Sequence, residues 1–83
     1  EIRRVVFRSD QWGTWTKEIS NFPWEYDEEE TFYVLEGEAE VKSADGTETI
    51  KFGPGDLVKC HKGVKCEWKI TKPIKKRYHF GPL

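Results

Sequence analysis

Apolar and charged residues alternate along part of the second half of the chain. Val64, Cys66, Trp68 and Ile70 are separated by single charged residues. A period of two places the apolar side chains on one face of a β-strand, whereas a helix face would require them three or four residues apart. Turn signals recur at short intervals, at Asp45-Gly46, Gly53-Pro54-Gly55-Asp56, Lys62-Gly63 and Lys72-Pro73. The pattern predicts an all-β chain of about eight short strands.

The same alternation indicates several further strands. Residues predicted to share an apolar face are Phe22, Trp24 and Tyr26, then Ala39 and Val41, then Ile50 and Phe52, and finally Ile74, Tyr78 and Phe80. The second and third groups flank Asp45-Gly46, and strands joined by an Asp-Gly turn pair as an antiparallel hairpin. A hairpin is therefore predicted at this turn.

Residues 27–40 allow two interpretations. Asp27 and the acidic residues after it could open a helix with apolar side chains on one face. The β-branched and aromatic run at 31–34 and the interruption at Gly37 favour a strand instead. We predict a strand.

Both faces of this strand are apolar, and a closed barrel covers only one of them. Tyr33, Leu35 and Leu57 are predicted to point outward. We expect these residues to form a homodimer interface, because an apolar outer face needs a partner. The alternative is that an N-terminal strand or arm at residues 1–11 covers this face.

The length of 83 residues predicts one domain, spanning 1–83, because chains divide into separate cores only well above this size. Hydrophobic residues make up 36% of the chain, a low fraction. Twelve aromatic residues compensate, because each ring buries a large area. A small core built from rings is therefore expected.

Charge excludes some classes of partner. Fourteen basic and 15 acidic residues give a net charge of −1, so neither a nucleic-acid nor a membrane-surface binder is predicted. The basic run Lys75-Lys76-Arg77 is interpreted as a solvated face. No apolar stretch reaches the length of a membrane helix and the N-terminus lacks a signal peptide, so we expect a cytoplasmic protein. The two cysteines are expected to be reduced thiols.

Motifs spread along the chain resemble those of the cupin superfamily. Glu30 is followed by Gly37, Gly55-Asp56-Leu57-Val58 comes next, and Lys62-Gly63 precedes Cys66 and Trp68. More closely, the chain resembles the small cupins related to (S)-ureidoglycine aminohydrolase, through Trp15 and residues 22–26, 30–38, 55–58, 62–69 and 73–76. The resemblance implies a single-domain double-stranded β-helix, or jelly-roll barrel, at residues 12–80, with a pocket at one end.

Cupin enzymes commonly hold a metal with two histidines, a glutamate and a third histidine. The resemblance places these four positions at Trp24, Tyr26, Glu30 and Cys66. The replacement of the three histidines by Trp, Tyr and Cys resembles what the ureidoglycine-type subgroup often shows. An indole offers no lone pair to a metal, and the phenol and thiol ionise only near pH ~10 and ~8.5. We therefore expect a degenerate site and no certain cofactor. A divalent metal held by Glu30, Cys66, Cys60 and either His61 or His79 stays a second hypothesis, although both histidines are better interpreted as surface residues.

Glu30 is predicted to point into the barrel among aromatic rings, where desolvation should raise its pKa. In a simpler interpretation, Tyr26 donates a hydrogen bond to Glu30 and the pair is only structural. The predicted pocket-lining residues are Trp24, Tyr26, Glu30, Phe32, Cys60, Cys66, Trp68 and Tyr78. Trp24, Tyr26 and Trp68 could stack on a sugar or flat heterocycle, or simply pack as core, which is favoured for Trp68.

This chain also differs from the ureidoglycine-type subgroup near the pocket. Cys60-His61 replaces a frequent Phe-Pro, Phe32 replaces a small cysteine, and Arg77 replaces a frequent histidine. Phe32 should shrink the cavity and exclude a sizeable substrate, and the inward Cys60 and Cys66 could meet.

Three functions follow from these features. The first is binding of a small molecule in an apolar pocket around Glu30, without robust metal chemistry. The alternative, implied by the resemblance, is an enzyme acting on a small nitrogenous metabolite, with Glu30 as proton acceptor, Tyr26 as donor and Cys66 as auxiliary ligand. The third is a protein-interaction module that uses the outer face of the Tyr33 strand.

Overall fold

A computed structural model describes residues 11–82, which form six β-strands and no α-helix. They are β1 (Gly13–Lys17), β2 (Ser20–Glu25), β3 (Glu30–Ser43), β4 (Thr49–Phe52), β5 (Leu57–Cys60) and β6 (Lys65–Phe80). The all-β prediction is confirmed, and residues 30–40 are a strand, as predicted. Within residues 11–82 there is no helix of the length and apolarity needed to cross a membrane. The proposed N-terminal arm lies outside the described residues, except for its last position.

Two long strands, β3 and β6, organise the sheet. They pair antiparallel from Glu30 opposite Phe80 to Ser43 opposite Cys66. On the other edge of β3, β5 pairs with its first part and β4 with its later part. On the other edge of β6, β2 pairs with its first part and β1 with its later part. The sheet therefore has two halves, β1-β6-β3-β5 and β2-β6-β3-β4, that share the long strands.

The predicted hairpin at Asp45-Gly46 is confirmed. Ala39 lies opposite Phe52 and Val41 opposite Ile50. The Asp45 carboxylate accepts a hydrogen bond from the backbone N–H of Thr47 at 3.0 Å, and Gly46 takes a positive φ of 76°. Both features suit a tight turn, because glycine adopts positive φ without steric cost.

One predicted turn is wrong. Lys72-Pro73 lies inside β6, where the β3–β6 register shifts near Gly37. Gly37 has a φ of 89°, and a Cβ at this position would clash with the carbonyl oxygen of Pro73. Proline fits a bulge because it donates no hydrogen bond to the ladder. Gly37 and Pro73 therefore bend long strands instead of ending them, and within residues 11–82 fewer strands form than the turn signals of this part of the chain indicate.

Aromatic rings join the two halves of the sheet. Phe32, on the β1-β6-β3-β5 half, packs on Phe52 and Trp68 of the other half, with ring centroids 5.2 Å and 5.7 Å apart. Trp15 of β1 reaches Trp68 at 5.9 Å. Phe32 and Trp68 are fully buried, so the expected ring-built core is present.

The outer face of β3 is only partly covered by the described residues. Leu57 is 52% exposed, and Tyr33 and Leu35 are half-buried. This arrangement agrees with their predicted outward direction. It leaves the dimer and the N-terminal cover as open predictions.

Candidate functional site

A cavity of about 190 Å³ opens between the two halves of the sheet. Among residues 11–82, seven aromatic side chains line it: Trp15, Phe22, Trp24, Tyr26, Trp68, Tyr78 and Phe80. Glu30 and Lys76 complete the lining. Alternation explains the convergence, since inward positions on β1, β2, β3 and β6 face one another when the halves close.

Glu30 and Lys76 form a buried ion pair in this lining. The Lys76 Nζ lies 2.6 Å from the Glu30 Oε2, and the two side chains are only 7% and 6% exposed. A pair this close and this buried forms a strong, charge-assisted hydrogen bond. It also offsets part of the desolvation cost that either charge would carry alone.

Three aromatic rings surround the Lys76 ammonium. Its Nζ lies 4.1 Å from the Phe32 ring centroid, 4.8 Å from that of Trp15 and 4.9 Å from that of Trp68. The negative faces of these rings attract a cation. Even so, burial, as the larger effect, lowers the pKa of Lys76 below its ordinary value of 10.5, while the Glu30 carboxylate opposes this shift. The amine is therefore easier to deprotonate than an exposed lysine.

Tyr26 does not serve as the expected hydrogen-bond donor to Glu30. Its hydroxyl accepts a hydrogen bond from the Trp68 Nε1 at 3.2 Å and lies near the Cys60 thiol. The carboxylate of Glu30 is paired with Lys76 instead. Burial, and next the charge and hydrogen bond of Cys60, raise the pKa of Tyr26 far above its ordinary value, so the phenol stays neutral.

The structure brings together five of the eight predicted pocket residues: Trp24, Tyr26, Glu30, Trp68 and Tyr78. The other three, Phe32, Cys60 and Cys66, do not line this cavity. Phe32 lies in the core beneath the ammonium, where it packs on Phe52. Its direction is inward as predicted, and its ring fills space that a ligand would otherwise use.

The two thiols line a separate cavity of about 140 Å³, together with Val41, Val64 and His61. Cys66 lies opposite Trp24 of β2 and donates its S–H to the Trp24 carbonyl oxygen at 3.6 Å. This contact turns the sulfur toward the strand backbone. Both cysteines are buried and free. Burial raises the pKa of each thiol, so both are held as neutral S–H groups.

The residues at the cupin metal positions do not fit a divalent metal. Within residues 11–82 no group of three or more His, Cys, Asp or Glu side chains converges. His61 is exposed and lies 3.7 Å from Glu29, while His79 packs against Trp12 with ring centroids 5.6 Å apart. Next to Glu30 there is an ammonium group, which repels a metal cation.

Sequence reasoning missed Lys76, and it did not assign Trp15, Phe22 and Phe80 to the pocket. The interpretation of Lys75-Lys76-Arg77 as a solvated face is wrong for Lys76, which is 5% exposed. The signal was available, because Lys76 has the same parity as Ile74 and Tyr78, both predicted to point inward. The alternation of β6, and not the general rule for basic runs, gives the direction of the Lys76 side chain.

Comparisons with known proteins agree with this architecture. The family model described as an EutQ-like cupin domain matches residues 7–78. A DUF861 family protein from Thermotoga maritima is 42% identical, with a TM-score of 0.85 over 88% of this chain and 82% of that chain. No curated protein matches this chain significantly.

Two EutQ proteins are also similar in structure. A candidate ethanolamine utilization protein Q from Salmonella typhimurium is 30% identical, with a TM-score of 0.74 over 84% of this chain and 55% of that chain. The EutQ protein of Clostridium difficile is 20% identical, with a TM-score of 0.75 over 84% and 54%, and shows the fold alone. This chain therefore spans about half the length of these two proteins.

These matches show the family of this chain but not a narrower subgroup within the cupins. They support the predicted cupin fold, whereas the narrower resemblance to ureidoglycine aminohydrolase-like cupins is not confirmed. The chain belongs to the family of EutQ-like cupin domains, and its described strands form a cupin β-barrel.

Proposed function

We propose that this protein binds a small, flat and uncharged molecule in the aromatic cavity, with a carbonyl or carboxamide group of the ligand at Glu30 and Lys76. The observation that carries the proposal is one charge-balanced ion pair at the wall of a cavity otherwise lined, among residues 11–82, by seven aromatic side chains. Pockets with mainly apolar walls and a few convergent polar groups are typical of ligand sites.

The cavity volume limits the ligand. About 190 Å³ is below the roughly 300–1,000 Å³ typical of drug-sized ligands. One ring with a short polar substituent is a suitable size. Trp24 lines this cavity, is 50% exposed and offers a ring on which a flat ligand can stack.

The ion pair selects against charged ligands. Glu30 and Lys76 already neutralise each other, so a ligand carboxylate or ammonium would lose its hydration without gaining an unpaired counter-charge. The hydrogen bond between the two side chains uses the Glu30 Oε2 and one proton of the Lys76 ammonium. A second carboxylate oxygen and further N–H groups can serve a ligand. A carboxamide matches both, because its carbonyl accepts from Lys76 while its N–H donates to Glu30.

A panel of four probes on the same ring tests this proposal: benzamide, benzoate, benzylamine and toluene. We expect benzamide to raise the thermal midpoint most, because it is uncharged and carries the carboxamide group. Binding raises stability by mass action, and a ligand at ~100 times its Kd adds ~2.7 kcal/mol. Trp24→Ala should weaken binding, while Leu57→Ala, which changes an exposed residue outside the cavity, should not. No shift with any probe would contradict the proposal, as would equal shifts in wild type and Trp24→Ala.

The enzyme hypothesis stays a prediction. It assigns proton transfer to Glu30 and Tyr26 and an auxiliary role to Cys66. The separate position of Cys66 and the pairing of Tyr26 with Trp68 and Cys60 do not favour this set.

The homodimer and interaction-module hypotheses rest on Tyr33, Leu35 and Leu57. For the homodimer, Leu35→Glu should shift the dimer to monomer in light scattering, and an unchanged mass would contradict it.

A further inference from the structure

Lys76 has a chemical property that ligand binding alone does not use. Its primary amine is a nucleophile once it loses a proton, and lysines in apolar pockets serve this role because burial disfavours the charged form. The amine lies at the wall of a cavity large enough for one small molecule. The exposed Lys75 next to it points to the other face of β6.

The acceptor for that proton is already in contact. The Glu30 Oε2 lies 2.6 Å from the Lys76 Nζ, within the distance over which a proton moves directly along a hydrogen bond. Transfer converts two charged groups into two neutral ones, and neutral groups lose less hydration free energy than charged groups in an apolar wall. Neither water nor a cofactor is needed for this step.

We propose that Lys76 forms an imine with small aromatic aldehydes or ketones that enter the cavity, with Glu30 as the acid–base partner. This inference rests on the proposed function, since it requires a carbonyl ligand at the same position. It adds covalent chemistry for those carbonyl compounds that, unlike carboxamides, are electrophilic enough to react with an amine.

The reaction balances with the groups present. The Lys76 ammonium gives one proton to the Glu30 carboxylate, and the nitrogen lone pair then forms a bond to the carbonyl carbon. A second proton moves from nitrogen to the former carbonyl oxygen, which gives a neutral carbinolamine. Glu30 returns its proton to the hydroxyl, the C–O bond breaks, and water leaves. The product is a protonated imine beside a restored carboxylate, so one ammonium and one carbonyl yield one iminium and one water.

The cavity also suits the product. The iminium carries the same single positive charge as the original ammonium and stays near Glu30. The rings of Phe32, Trp15 and Trp68, which lie 4.1–4.9 Å from the Lys76 Nζ, attract either cation. The site therefore needs no new counter-charge when the imine forms.

Borohydride trapping with benzaldehyde tests the proposal. Reduction fixes the imine as a stable benzyl amine, which peptide mass mapping can locate on the wild-type protein. We expect Lys76 to be the first lysine labelled at low benzaldehyde concentration, with loss of this fast label in Lys76→Met and Lys76→Arg. Lys75→Met is the matched control and should label as wild type does. Glu30→Gln should slow labelling of Lys76 on the order of 10²-fold, because the proton acceptor is removed.

Two outcomes would overturn the proposal: fast labelling of exposed lysines with Lys76 unmodified in folded wild type, or unchanged fast labelling in Lys76→Arg. The wild-type mapping needs no variant, so it decides the question even if a variant fails to fold. If benzamide binds and Lys76 does not label, the imine proposal fails alone. If benzamide does not bind and Lys76 does not label, the proposed function fails with it.

Discussion

Lys76 and Glu30 are 46 residues apart in the chain, and they form a direct ion pair inside the barrel with a separation of 2.6 Å. Each residue supplies the counter-charge that permits the other to be buried. The pair therefore links the stability of the fold to the chemistry of the cavity. Variants of these two residues should affect both.

The first prediction concerns the stability of this pair. Lys76→Met and Glu30→Gln should each lower the free energy of unfolding by about 3–5 kcal/mol, because each leaves one buried charged group without its partner. The double variant should recover much of this loss, since no uncompensated charge remains. Chemical denaturation of the four proteins gives the coupling energy. Lys75→Met controls for loss of a lysine on the same strand, and additive losses in the double variant would refute the coupling.

The second prediction concerns the bend of β3. Gly37→Ala should be severely destabilising, because it combines a φ of 89° with a clash against the Pro73 backbone. Gly55→Ala is the matched control, since Gly55 has a similar φ of 92° and open space where a Cβ would lie. It should cost only about 1–2 kcal/mol, the cost of placing alanine in the left-handed region. Equal losses of thermal stability would show that the Pro73 contact is unimportant.

The strands of the barrel were predictable because they follow local sequence patterns. Alternation predicted the inward faces, and Asp45-Gly46 predicted a hairpin that the structure contains. Gly37 and Pro73 were harder, because the same residues end a strand in one context and bend it in another. Only their contact across β3 and β6 decides between these outcomes.

The candidate site was less predictable than the fold. Alternation gives the direction of a side chain but not which cavity it reaches, so Cys66 was predicted to lie beside Glu30 and instead lines another cavity. The partner of Glu30 depends on long-range pairing of β3 with β6, which no local pattern specifies. The alternation of Ile74, Lys76 and Tyr78 indicates that Lys76 points inward. The ion pair follows from this direction only when an inward lysine is considered as the partner of an inward glutamate.

The third prediction concerns alkaline pH. The pKa values of Cys60 and Cys66 are raised above the ordinary value of 9.0 in the folded state, chiefly by burial. Above pH ~9 the unfolded state therefore loses these protons first, and stability falls as pH rises. The Cys60→Ser/Cys66→Ser double variant should lose stability less steeply, by roughly 1.4 kcal/mol per pH unit for each thiol that stays protonated when folded.

Lys76 has the opposite effect on this pH dependence. Its pKa is lowered in the folded state, so above that pKa the unfolded state binds more protons and stability rises with pH. Wild type and the double cysteine variant both retain Lys76 and Tyr26, so the difference between their slopes from urea denaturation at each pH reports the thiols together with the effect of Cys60 on the pKa of Tyr26. Parallel slopes would show that the thiols do not contribute.

The fourth prediction concerns thiol access. Cys60 and Cys66 are 8% and 5% exposed, so a thiol reagent should modify the folded protein slowly and the unfolded protein at once. Ellman's reagent measures both rates. Destabilisation by Gly37→Ala should accelerate the reaction, because modification would then depend on opening of the barrel. Rapid modification of both thiols in stable wild type would contradict the burial of this cavity.

Calorimetric titration of Glu30→Gln and Lys76→Met with benzamide, benzoate and benzylamine tests the central claim most directly. Wild type should prefer benzamide, because its charges are balanced. Glu30→Gln leaves the Lys76 cation unpaired and should turn the preference to benzoate, while Lys76→Met leaves the carboxylate unpaired and should turn it to benzylamine. If all three proteins rank the ligands in the same order, the Glu30–Lys76 pair does not contact the ligand and the account is wrong.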